Sequence, residues 1–396
     1  MSEVRVALHA ALDPQASGGV QTNLVSLVVG LKQSGRSSHA TLLSPPALVE
    51  RWRAVAAPEI SVASWSHSFP WYRGGENDEV LGRRLAEDLC STAADVRRRD
   101  REIKATGSQV VHFPYQVAFD SELPTVYEPW DLQHVRIPQV FTPGERIWRT
   151  ALFERACQRA VVVVTATEET KKDLCAVYGV DEDKIAVIYR DAKELPAPRR
   201  VDEAADLRRR FGINGEFAFY PAASYAHKNH AQLIEAAAIL RDRHRVKLTI
   251  VCSGKRQAAT WPDLSARLER LGLRDCVRFV GVVTEEDLAA LYRAARLVIF
   301  PSLFEGLGLP LLEAMQCGTP IAAARASCIP EVVGDAAALF DPLQPEDIAA
   351  TTAALWDDDA RRCRLVERGA VRRLDFAWGK AALAFEKAYS RAAAQF

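Results

Sequence analysis

None of the eight cysteines, at positions 90, 157, 175, 252, 276, 317, 328 and 363, stands in a CxxC pair. A disulfide or zinc framework is therefore not expected, and the thiols read as small buried hydrophobes in a reducing compartment. No stretch approaches the roughly 18 apolar residues of a membrane-crossing helix. The opening MSEVRVALHAAL lacks a basic region followed by an apolar one, so the expected location is cytoplasmic. Charge of one sign is not in excess either. With 51 basic against 51 acidic residues, no global field draws the chain to nucleic acid or to an anionic membrane, and binding must be local. No period of 20 to 50 residues and no low-complexity tract points to a repeat architecture.

What is present is alternation. At 396 residues the prior is about two domains. In the first half, apolar strands are expected at Val4 to Ala10, Val110 to Phe113, Pro124 to Tyr127, Val161 to Thr165 and Ile185 to Ile188. Between them the pattern predicts helices at about Val20 to Leu31, Glu145 to Ala160 and Glu168 to Tyr178, and one long helix from Asp78 to Lys104 with a basic end. Lys193 to Arg200, KELPAPRR, has two prolines and no periodicity and reads as a linker. Alternation then restarts, with strands at Phe217 to Tyr220, Val246 to Val251, Val277 to Val280 and Leu297 to Phe300. The helices between are His230 to Leu240, Leu264 to Leu271 and Glu285 to Ala295. Such alternation in both halves predicts an α/β protein of two doubly wound parallel sheets. The expected domains are 1–195, joined by a last helix 378–396, and 201–377.

The chain is organised around Leu297 to Pro342. A buried strand is followed by a loop punctuated by Pro301, Ser302, Gly306 and Gly308. Pro310 can then occupy the first turn of a helix that Gly318 stops. A glycine loop admits close backbone approach, and a helix N-terminus favours negative charge, so a phosphate fits beside Gly308, Leu309 and Pro310. Glu305 in the loop and Glu313 in the helix would then accept hydrogen bonds from hydroxyls. The site therefore suits a phosphorylated, hydroxyl-rich ligand.

PSLFEGLGLPLLEAMQCGTP, with Glu305 and Glu313 separated by seven residues, resembles the C-terminal signature of retaining glycosyltransferases of the GT-B fold, the large "glycosyl transferases group 1" family. Weaker similarity runs through HKNH at 227–230, WDLQH at 130–134 and GGV at 18–20. The resemblance implies two Rossmann-like domains facing a cleft, with the last helix crossing back to the first. It implies Glu313 on the ribose hydroxyls, Glu305 on the donor sugar, Lys228 on the diphosphate, Val280 to Val282 with Gly281 around the base, and Gly18 and Gly19 toward the pyrophosphate. Many relatives have a His-Asp pair where this chain has Trp130 and Asp131. His134 then stands as a candidate to turn back toward the sugar. Where relatives carry an arginine, Ala222 stands, and Lys255 or Arg256 could substitute.

The resemblance implies a nucleotide-sugar donor as co-substrate, GDP-mannose first and UDP-hexoses next, with no further cofactor. No DxD pair stands where metal-dependent transferases use one, so no metal is expected. The acceptor is a saccharide, lipid-linked or small molecule. Two other readings stay open: a catalytically degenerate scaffold that binds nucleotide sugar, and a nucleotide-sugar epimerase. The aromatic segment Trp65, His67, Phe69, Trp71 and Tyr72 reads either as an acceptor platform or as a loop pinned to a core. Asp357 to Asp359 reads as a solvated acidic run.

Overall fold

A computed structural model describes residues 4–16, 19–33, 35, 39–56, 58–67, 75, 77–198 and 203–395. The chain divides into two compact units, Met1–Lys193 with Phe376–Phe396, and Glu194–Asp375. Gly18 and the segment Phe69, Trp71 and Tyr72 lie outside the described residues.

The first unit holds the strands β1 (Val6–His9), β2 (Ala40–Ser44), β3 (Ser61–Ser64), β4 (Val110–Phe113), β5 (Thr125–Tyr127), β6 (Val162–Thr165) and β7 (Ile185–Val187). They pair in parallel in the order β3-β2-β1-β4-β5-β6-β7. The second unit holds β8 (Phe217–Pro221), β9 (Thr249–Ser253), β10 (Val277–Gly281), β11 (Leu297–Phe300), β12 (Ile321–Ala324) and β13 (Ala337–Phe340). Their order is β10-β9-β8-β11-β12-β13, again parallel. All four residues of β11 and of β12 are buried, because helices cover both faces of a parallel sheet and leave no polar alternation to read. In each unit the strand order reverses once, between β1 and β4 and between β8 and β11. Ligands of open α/β sheets sit outside the carboxyl ends of the strands at such a reversal.

The helix Trp378–Ala394 packs on the first unit. Ala381, Ala382, Phe385, Ala388 and Tyr389 join Val6, Leu8, Leu27, Val28 and Leu31 in one core cluster. Gly30 makes this possible, since a Cβ there would lie 2.1 Å from the Trp378 ring. A buried polar network adds to the seam. The His112 ring lies 2.9 Å from the Tyr389 hydroxyl and 2.8 Å from the Glu128 carboxylate, whose other oxygen is 2.5 Å from Arg190. Burial alone would push the Glu128 carboxyl up, but Arg190 and His112 bring it below the usual carboxylate range.

One long helix from Asp78 to Lys104 is not what forms. Asp78–Glu87 and Ala93–Ala105 are separate helices, and Thr92 caps the second by accepting from the Asp95 N–H at 3.2 Å. The interruption lets Arg99 reach Ser91 and the Asp120 carbonyl. Asp100, within this charged stretch, is buried and accepts from Ser121 and the Glu122 N–H. At the far end of the second unit, Asp358 caps the Asp359–Arg373 helix, and Asp359 pairs with Arg296 and Arg362.

Candidate active site

The site grows from the two loops that leave β8 and β11, on either side of the reversal in the second sheet. After β8 the chain makes a short turn, Ala226–Lys228, and enters the helix His230–Asp242 through Asn229 in the left-handed region, φ 60°. Asparagine tolerates that conformation. Its side-chain amide donates to the carbonyls of Pro301 (3.1 Å) and Pro342 (2.7 Å), which fastens this loop to those after β11 and β13. The Leu303 N–H donates to the His227 carbonyl at 2.8 Å, and the Tyr220 hydroxyl donates to the Lys228 carbonyl at 2.7 Å beside Ser302. These ties set Lys228 Nζ 2.6 Å from Glu305 Oε1, with the two side chains 18% and 10% exposed. The pair is sheltered yet reachable.

Glu305 is held from its other side by its own carbonyl, which accepts from Ser327 Oγ (2.8 Å) and Cys328 Sγ (3.1 Å). Gly308 then takes φ 77° and caps the Leu309–Gln316 helix, with Pro310 in its first turn. Inside that helix Glu313 is buried and accepts a 2.7 Å hydrogen bond from Tyr292, which also reaches the Pro310 carbonyl. Burial and the Glu313 charge push the Tyr292 phenol well above its ordinary value, so it stays a donor.

His227 and His230 flank Lys228, and each is pushed down to about 3 by burial, with the lysine charge adding to it. Both are neutral, so the positive charge of HKNH is that of Lys228. His227 stacks on the half-exposed Tyr225 ring at 5.7 Å.

The loop after β9 lies against this turn because Gly254 takes φ +117°, where a Cβ would lie 2.6 Å from the Ala223 nitrogen. Ser224 N–H donates to the Lys255 carbonyl at 3.0 Å. The Lys255 side chain is exposed, whereas Arg256 stacks over Trp261 (4.4 Å) and donates to the Phe279 carbonyl. The Arg256 guanidinium is thus engaged by Trp261 and by β10. Gly281, at the end of β10, has φ 78°, and its carbonyl accepts from Gly254.

Among the candidates of the first unit, Gly19 opens the Gly19–Gln33 helix, with open space where a Cβ would stand. Asp131 is half-buried and accepts from the Gln133 N–H at 3.1 Å. Trp130 sits at φ 70°, and its indole donates to the Pro114 carbonyl at 2.9 Å. His134 does not turn outward. It is 1% exposed, 3.0 Å from the Tyr178 hydroxyl and edge-on to Phe153. Burial, with Arg149 and Arg146 nearby, pushes it down to about 3. This is a core histidine, which corrects the expectation that it faces a substrate. Trp65 is likewise buried, stacked on Phe119.

Tyr292, Asn229, Tyr220 and Ser327 support the site without having been picked out from the sequence. Each acts through a partner 21 or more residues away or through a main-chain carbonyl, which leaves no local signal. Among the described residues, no three His, Cys, Asp or Glu side chains group as a metal centre, and no helix is long and apolar enough to cross a membrane.

Two doubly wound parallel-sheet units, the last helix returned to the first, and a lysine–carboxylate pair at the reversal of the second sheet define the GT-B architecture. Solved structures agree on the fold. Anabaena HepE in complex with UDP and glucose matches with a TM-score of 0.69 at 18% identity, covering 98% of this chain and 99% of that one. Sucrose-phosphate synthase from Thermosynechococcus elongatus matches at 0.72 and 18%, covering 99% and 100%.

The family model described as Glycosyl transferases group 1 matches residues 205–372, and that of Glycosyltransferase Family 4 matches 17–190. D-inositol 3-phosphate glycosyltransferase of Xylanimonas cellulosilytica is 30% identical over 78% of each chain. O-antigen chain mannosyltransferase B of Escherichia coli is 29% identical over 60% of this chain and 63% of its own length. The chain belongs to the glycosyl transferases group 1 family.

Proposed function

We propose that the chain is a retaining, metal-independent hexosyltransferase of the cytoplasm. It moves a hexosyl unit from a nucleotide sugar, GDP-mannose first and a UDP-hexose otherwise, to a hydroxyl of a saccharide, lipid-linked or small-molecule acceptor. The observation that carries this reading is the Lys228–Glu305 pair beside the Gly308-capped helix, at the sheet reversal. It sets a cation, a carboxylate and a helix N-terminus in one place, which suits a diphosphate bonded to a sugar. The name of the Escherichia coli relative supports the lean toward mannose.

Lys228 and the N-terminus of Leu309–Gln316 stabilise charge growing on the departing diphosphate. Glu305 accepts from sugar hydroxyls and Glu313, oriented by Tyr292, from ribose hydroxyls. Gly281 lies by the base, with Lys255 as an outer cation. The acceptor hydroxyl attacks from the face the diphosphate leaves, and the diphosphate takes its proton, so the sugar keeps its anomeric configuration. NMR of the product anomeric centre tests this: an α-linked donor should give an α-linked product, and activity should persist in EDTA. A β-linked product, or activity lost to EDTA and restored by Mg²⁺, refutes it.

Trp130 favours a second reading. Its indole N–H is committed to Pro114, and with Ala222 it departs from the family's usual His and Arg. A scaffold that binds nucleotide sugar without turning it over would show binding with no product on any acceptor panel.

A further inference from the structure

Lys228 and Glu305 are each assigned a ligand group above, yet here they hold each other at 2.6 Å. Each keeps donors or lone pairs to spare, but each serves its ligand less well while it does so. A lysine has one charge to place, and a carboxylate facing an ammonium at this distance is a poorer acceptor for a neutral hydroxyl. The pair is also built to be undone. Its side chains are 18% and 10% exposed, so the ligand reaches both. The main chain on either side is fixed by Tyr220, Asn229, Ser327 and Cys328, so separation needs only side-chain rotation. The flanking histidines are neutral and offer Glu305 no replacement charge.

We infer that the Lys228–Glu305 pair is an exchange switch for donor selectivity: a diphosphate draws Lys228 off Glu305, and the released carboxylate then accepts the sugar hydroxyls. Phosphate binding and sugar recognition are thereby coupled through one broken ion pair. By linkage the coupling is reciprocal, so sugar hydroxyls on Glu305 favour Lys228 on phosphate. A bare nucleoside diphosphate bears the cost of opening the pair with nothing to put on Glu305, whereas the intact nucleotide sugar satisfies both halves. A sugar without the diphosphate meets a carboxylate whose charge Lys228 still neutralises. The switch thus favours donor over product nucleotide and over free sugar. This rests on the proposed donor-binding reading.

The test is calorimetric binding of GDP, UDP, GDP-mannose and UDP-glucose to the full chain, wild type against Glu305→Gln and Glu305→Asp. Glutamine removes the competing charge. Aspartate keeps the charge but draws it back by one methylene. Both variants should bind the bare diphosphate about two- to fivefold tighter, the scale of a partly exposed ion pair. The advantage of the nucleotide sugar over its diphosphate should shrink in both. Equal tightening of diphosphate and nucleotide sugar in both variants would mean simple relief of repulsion and would overturn the switch. Unchanged or weaker diphosphate binding in both would also overturn it, leaving the donor-site reading intact. No diphosphate binding by wild type would remove the donor-site reading itself. Circular dichroism confirms folding, and the aspartate variant carries the test if the glutamine one is unstable.

Discussion

Replacing Lys228 by alanine removes the cation from the proposed donor site and leaves Glu305, with a side chain 10% exposed, facing no ammonium. Loss of a charge-assisted hydrogen bond to phosphate costs about 1.5 to 3 kcal/mol. Against this, the wild-type lysine must first leave Glu305, and a partly exposed ion pair is worth at most about 1 kcal/mol. The net loss is then about 0.5 to 2 kcal/mol, or roughly two- to thirtyfold in diphosphate affinity. Lys228→Arg should recover part of it, because a guanidinium can still meet phosphate. Titration calorimetry with GDP and UDP at low and moderate salt reads the effect directly. Wild-type affinity in Lys228→Ala, in a variant that melts like the parent, would refute the placement of the diphosphate.

Other changes separate the roles around it. Glu313→Gln should keep the fold, since its amide oxygen still accepts from Tyr292, while nucleotide affinity falls about tenfold; an unchanged Kd in calorimetry would remove Glu313 from the ribose. Gly254→Ala should lower Tm by several degrees, because the new Cβ meets main chain at 2.6 Å in a conformation L residues rarely adopt; a Tm equal to wild type in scanning calorimetry would contradict the geometry. Stability should also fall in acid. His134, His227 and His230 are pushed down to about 3 and His9 to about 4, so between these values and about 6.5 the unfolded chain binds more protons than the folded one. The stabilisation is fully present above pH 6.5 and is lost as pH falls, by up to about 1.4 kcal/mol per pH unit for each histidine. His134→Gln should flatten the slope of unfolding free energy against pH in urea titrations; a slope identical to wild type would refute its neutral burial.

The sequence carried the second unit well because its signals are local. Leu297–Phe300 has the four-residue apolar run of a strand buried on both faces, and Gly308-Leu309-Pro310 spells a left-handed cap followed by a first-turn proline. The spacing of Glu305 and Glu313 follows from that same loop and helix. The ion pair was not legible: 77 residues separate Lys228 from Glu305, and only the adjacency of β8 and β11 brings them together. His134 failed for a related reason. Its burial is decided by Tyr178 and Phe153, on helices that contact it only after folding. The break before Ala93 did have a local sign, Thr92 three residues ahead of Asp95, but the leucine and valine spacing across it matched one continuous helix and hid it.

The return of Trp378–Ala394 to the first unit has a consequence for synthesis. The second unit is one uninterrupted stretch of chain, Glu194–Asp375, and has all its strands before that helix is made. The first unit begins earlier but cannot close: until Phe385 and Tyr389 arrive, the faces of Leu27, Val28 and Leu31 lie open, and His112 lacks its hydroxyl partner. Domains otherwise tend to fold in the order they are made. Here the domain begun first is completed last, so during translation its uncovered apolar surface must stay accessible to chaperones for as long as the ribosome takes to read nearly 200 further codons.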